Sequence, residues 1–222
     1  MKPPASPSQS LPRGIRFAAV LCLILSGLTG FSALQGAMQL SQLSELKDKA
    51  SNVVRFSKET EKDLIFIARL DEAQLSALEP VRDSRTLVLG MLSVACAFVF
   101  VSASRVLQPG GLPLERVRRL LGGAAIIAAL LRTIDGAQEA AVARQLALAF
   151  TDILLSRPDL FKAPPGFDVK AVMPTLLLLL TAGMTAAVAG TFALLGQYFR
   201  SERVREAVLA QDGQLPEVEE ED

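Results

Sequence analysis

Residues 109–139 read PGGLPLERVRRLLGGAAIIAALLRTIDGAQE. The stretch opens as a turn, by its Pro and Gly content. It passes through the basic segment ERVRR, residues 115–119, and runs into an apolar helix. The apolar run Leu120–Leu131 has only twelve residues. About 20 are needed to cross the hydrocarbon core. To span, the helix must therefore continue through Arg132, Asp135 and Glu139. Their spacing of three and four places them on one helical face. Arg132 and Asp135 are close enough in register to pair, which lowers the cost of burying either. Ile134, Ala137 and Ala141 keep the other face compatible with lipid.

Outward from this stretch the apolar residues gather into blocks. Half of the 222 residues are hydrophobic and mean hydropathy is +0.37. Phe17–Met38 reads as a first span, Thr86–Ser104 as a second, residues 120–141 as a third and Ala171–Phe199 as a fourth. The fold expected is an all-α polytopic membrane bundle of four transmembrane helices, with a helical extramembrane segment between spans one and two. Residues 1–16, with four prolines, three serines and no acid, read as a disordered basic segment. An uncleaved anchor is favoured over a signal peptide for residues 17–38, because no small-x-small cleavage site stands near Ala37.

Residues 39–85 are polar and glycine-free. Leu43, Leu46, Ala50, Val53, Leu64 and Ile67 follow helical spacing, so this segment reads as amphipathic, extracytoplasmic helix. It is either a cover over one mouth of the bundle or a docking domain. Residues 105–119 read as a cytoplasmic basic loop, with Arg116, Arg118 and Arg119 as topology determinants and lipid head-group contacts. Residues 142–170 read as an external helix followed by a Pro-rich loop. Residues 200–222 read as a short cytoplasmic helix and a solvated acidic tail.

Small residues recur at four-residue spacing in the first span, as Ser26/Gly30 and Ser32/Gly36. Gly183, Ala187 and Gly190 form a stripe in the fourth, read as a seam against another helix. Arginines flank the starts of spans one and three and the ends of spans two and four. The positive-inside rule then gives N-in, C-in in a bacterial inner membrane. A three-span alternative, with the Leu120 helix re-entrant, would place Arg200, Arg203 and Arg205 outside, against the same rule.

Composition narrows the chemistry. The 23 basic residues equal the 23 acidic ones, so charge points to no nucleic-acid partner. Histidine is absent, which removes the commonest general base and metal ligand. Cys22 and Cys96 lie inside apolar runs and read as small core side chains. No Gly-x-Ser-x-Gly, phosphate-binding loop or Cys-x-x-Cys is present. No catalytic residue, metal or cofactor is expected. The partners expected are the bilayer and a membrane protein or a second copy.

The QPGGLPLERVRRLLGG segment resembles the loop between spans two and three of a bacterial family of uncharacterised four-helix membrane proteins, of the kind G-x-P-F-x-x-x-N-x-x-R-L-R-x-x-G. Gly111, Pro113, Val117, Arg118, Leu120 and Gly122 or Gly123 approximate it. Leu114 stands where Phe is usual, and the Asn is missing. Phe199-Arg200 followed by SERVREA is similar to the end of that family's fourth span. The resemblance implies a bacterial integral membrane protein and brings no catalytic residues.

Two functions follow. The first is a non-enzymatic bundle that binds or regulates a membrane partner. The second is a small transporter, channel or proton-linked protein using the Arg132, Asp135, Glu139 face, because ionisable residues inside a span are costly and often mark pathways. An intramembrane enzyme would need reactive groups converging from several spans, which offer almost only Ser, Thr and Gln.

Overall fold

The computed structural model describes residues 12–42, 70, 72–108, 113–155 and 168–212. The expected disordered leader up to residue 11, most of the amphipathic 39–85 segment, the turn at 109–112, the Pro-rich loop at 156–167 and the acidic tail from 213 lie outside these residues. Among the described residues the structure is all-α. It comprises α1 (Arg13–Ser41), α2 (Arg82–Leu107), α3 (Leu114–Leu155), α4 (Val169–Arg200) and α5 (Glu202–Asp212). A 3-10 turn, Glu79–Val81, leads into α2 from a preceding helical stretch at 72–78. Pro80 sits at the start of this turn, where its missing N–H costs no helical bond. Four helices are long and apolar enough to cross a membrane: α1, Glu72–Leu107, α3 and α4.

The helices overrun the apolar blocks that specify them. α1 starts at Arg13 rather than Phe17, because the Pro12 carbonyl accepts from the Ile15 and Arg16 amides and Ile15 is buried. α3 starts at Leu114, inside the segment read as a basic loop, and continues without a break to Leu155. The expected external helix is thus the far end of α3. No Gly or Pro interrupts residues 137–155, and Ala, Leu, Gln, Glu and Arg there are strong helix formers. At 1.5 Å per residue its 42 residues extend about 63 Å, roughly twice the hydrocarbon core.

Contacts divide the chain into two compact units. The first takes α1 up to Phe31, α2 from Ser93, α3 up to Leu130, α4 from Ala189, and α5. Here Cys22, Cys96, Val99, Leu121, Phe192 and Phe199 are buried. Close crossings rest on glycine. A Cβ at Gly30 would stand 2.9 Å from Cys96 Cβ, and one at Gly196 would stand 3.0 Å from the Gly122 carbonyl. α1 therefore seats on α2, and α3 on α4, where no side chain keeps the backbones apart. Cys22 and Cys96 are free thiols in this core.

The second unit takes α1 from Ser32, α2 up to Leu92, α3 from Leu131 and α4 up to Val188. α1 ends here with no basic residue in its own last turn. Arg82 supplies one from α2: its Nε donates to the Leu40 carbonyl at 3.1 Å and its Nη2 to the Ser41 carbonyl at 3.3 Å. These are orphan acceptors at the negative end of the helix dipole. Asp168 caps α4, accepting at Oδ1 from the Lys170 and Ala171 amides at 3.1 and 3.3 Å.

Outward-facing apolar side chains are numerous in both units. Phe17, Leu28, Leu130 and Leu194 in the first, and Leu87, Leu179 and Met184 in the second, are all exposed. Exposed apolar side chains in such number are what a lipid-facing helix carries.

Candidate functional site: a four-charge network and a three-residue clasp

Asp135 is the most deeply buried acid among the described residues, at 1 % exposure. α3 brings Arg132 one turn before it and Glu139 one turn after it, as the spacing requires. Arg132 Nη1 donates to Asp135 Oδ2, and to Glu139 Oε2 at 3.2 Å. The fourth member comes from α2. Arg85 Nε donates to Asp135 Oδ1 at 3.1 Å, and its Nη2 lies 3.9 Å from Glu139 Oε2. Two guanidinium groups and two carboxylates close into a neutral network within the second unit.

The sequence presents Arg85 as the boundary of a span. One signal pointed further. Arg132, Asp135 and Glu139 carry one positive and two negative charges, so neutral burial needs a second cation. Which cation supplies it depends on the register of α2 against α3. The network stands beside a close helix contact. A Cβ on Gly136 would lie 2.8 Å from Thr185 Cβ of α4, and closer still to that residue's side-chain tips. Gln138 Nε2 also reaches Ser84 Oγ at 3.5 Å.

The three arginines read as head-group contacts divide in the first unit. Arg116 and Arg119 are exposed, whereas Arg118 is buried at 5 % exposure. Glu115 explains the difference. Arg118 grips it with both arms of its fork, Nε to Oε2 at 2.7 Å and Nη2 to Oε1 at 2.9 Å. Arg119 Nε adds a bond to Oε1 at 2.6 Å. The Arg118 bond is the main reason the Glu115 carboxyl is held down at about 2, with Arg119 assisting. The remaining arm of Arg118 donates to the Phe199 carbonyl, an orphan acceptor at the end of α4. The α3 start is capped in return: the Glu115 amide donates to Asp212 Oδ2 of α5 at 3.2 Å. Arg118 is thus a clasp joining α3 to the end of α4, and only Arg116 and Arg119 face outward.

The small-residue stripe on α4 has open space beside two of its members. A Cβ at Gly183 or Gly190 would meet nothing within 4 Å. Among the described residues the α4 crossings use Gly196 and Thr185. No group of His, Cys, Asp and Glu among the described residues has the geometry to hold a metal ion. No protein-family model, curated protein or solved structure matches the chain. The family resemblance therefore rests on the residues quoted for it alone.

Proposed function

We propose that this chain is a non-enzymatic membrane bundle that works by packing a further transmembrane helix, from a partner protein or a second copy, against α4. The observation that carries the reading is how little α4 is covered. Among the described residues only 6 % of its apolar 18-residue window is buried, against 28 %, 44 % and 39 % for the corresponding windows of the other three spans. Gly183 and Gly190 lie open on it, and small residues of this kind let helix backbones approach closely in lipid. The charged face of α3 supports the same reading, because Arg85 already neutralises it internally. Arginines near the span ends favour both termini on the cytoplasmic side of a bacterial inner membrane.

Co-purification from native membranes, with lipid preserved, tests this. A stoichiometric second polypeptide or second copy should accompany the wild type and be lost in Gly183→Leu. A chain that emerges alone from both preparations contradicts it.

A second reading, proton- or ion-linked transport, draws on two buried polar atoms. Gln138 Oε1 and Thr185 Oγ1 have no hydrogen-bond partner among the described residues, and both residues stand close to the Asp135 turn. Asp135→Asn with Glu139→Gln in proteoliposomes separates the readings. Flux lost at normal expression favours a pathway, and expression lost favours a structural network.

A further inference from the structure

The beginning of α3, the end of α4 and the start of α5 line an open cleft of about 530 Å³ in the first unit. Its lining is Arg118, Arg119, Gly123, Arg200, Glu202 and Arg205. Four of these six residues are arginines. Two carboxylates face them: Glu115, taken by Arg118 and Arg119, and Glu202, which accepts from Arg205 Nη1 at 3.1 Å. Set against these two paired carboxylates, the four arginines leave an excess of two positive charges. Arg200 has no acidic partner among the described residues. Its stem crosses α3 at Gly122, where a Cβ would stand 2.8 Å from Arg200 Cγ. Gly122 therefore gives Arg200 its route across α3 into the cleft, and Gly123 leaves the floor open, since a Cβ there would meet nothing within 4 Å.

We propose that this cleft binds a phosphate-bearing anion, supplied as the head group of an anionic phospholipid. Guanidinium groups match phosphate oxygens in a planar two-point geometry. Arg119 is bound to Glu115 through its Nε alone. It keeps both Nη groups for an incoming oxygen. Arg200 keeps its whole fork. The chemistry alone would also admit a free phosphate. Depth selects the lipid: the cleft opens where the apolar run of α3 begins at Leu120 and that of α4 ends at Phe199. This is the level at which bilayer phosphates lie, and basic pockets between spans there bind anionic head groups. The site shares no residue with the α4 surface invoked above, so either proposal stands or falls without the other.

The test uses the full chain in nanodiscs of phosphatidylcholine alone or with one-fifth phosphatidylglycerol, with thermal unfolding and retained lipid read by mass spectrometry. Phosphatidylglycerol should be retained and raise the unfolding temperature of the wild type. Arg200→Ala should weaken that retention roughly five- to tenfold. Arg203→Ala, which removes an exposed arginine outside the cleft, should leave it unchanged. Arg200→Lys, which keeps the charge without the fork, should recover only part. Inorganic phosphate added to phosphatidylcholine discs distinguishes the sources. No stabilisation by it supports the lipid, and full stabilisation by it overturns the lipid assignment. Equal losses in Arg200→Ala and Arg203→Ala would mean diffuse surface attraction and would overturn the site. So would equal behaviour of the wild type in both lipid compositions.

Discussion

Asp135 and Glu139 lie one turn apart on the same face and differ mainly in burial. The Asp135 side chain is 2 % exposed and bonded to two arginines, whereas Glu139 is 39 % exposed. Asp135→Asn leaves Arg85 and Arg132 facing each other with half their counter-charge gone. Unfolding in detergent should record a loss of about 3–5 kcal/mol, typical of breaking a buried pair. Glu139→Gln should cost less, because the Glu139 side chain is partly exposed and both arginines keep their bonds to Asp135. Equal costs would place both acids in one environment and contradict the network as described. Glu115 gives a pH signature. Its carboxyl titrates near 2 instead of its ordinary 4.5. Its folded value is depressed, so its contribution is complete above 4.5 and fades as pH falls toward 2. The melting-temperature gap between wild type and Glu115→Gln should be constant above 4.5 and narrow below it. At this scale the sequence was partly legible. Glu115 with Arg118 and Arg119 is a readable three- and four-residue spacing. Arg85 was not readable as a partner, because only the packing of α2 on α3 brings it to Asp135.

Helix existence was legible because about twenty apolar residues leave a chain little choice in lipid. Helix ends and helix faces were less so. A run of apolar residues marks where a helix meets hydrocarbon, not where its hydrogen bonding stops, and α3 overruns at both ends for this reason. Small residues mark where a helix is thin, and a second helix decides whether that place is used. Gly136 and Gly183 illustrate the distinction and can be compared directly. Gly136→Ala drives a methyl into Thr185 and should cost about 1–3 kcal/mol, as overpacking does. Gly183→Ala meets open space in the isolated chain and should be neutral or stabilising by up to about 1 kcal/mol through helix propensity. Thermal unfolding of the two purified variants decides this. If Gly183→Ala proves the more damaging, the Gly183 face of α4 packs within the chain and the assigned seams are wrong.

At the level of the whole molecule, each long helix has a covered side and a side left apolar and open, and the apolar window of α4 is the least covered of the four. Lipid suffices for the exposed Leu and Phe of α1, α2 and α3. An uncovered α4 carrying open glycines is better matched by another helix. The sequence could show the stripe but not its vacancy, since vacancy depends on where the other three helices settle. The most direct measurement is photo-crosslinking in intact membranes, with a benzophenone side chain at Met184 of α4 or at Leu87 of α2. The two positions are equally exposed, at 61 % and 62 %, so lipid alone would treat them alike. The account predicts a discrete protein adduct from position 184 and only lipid adducts from position 87. Lipid adducts alone from both positions would contradict it.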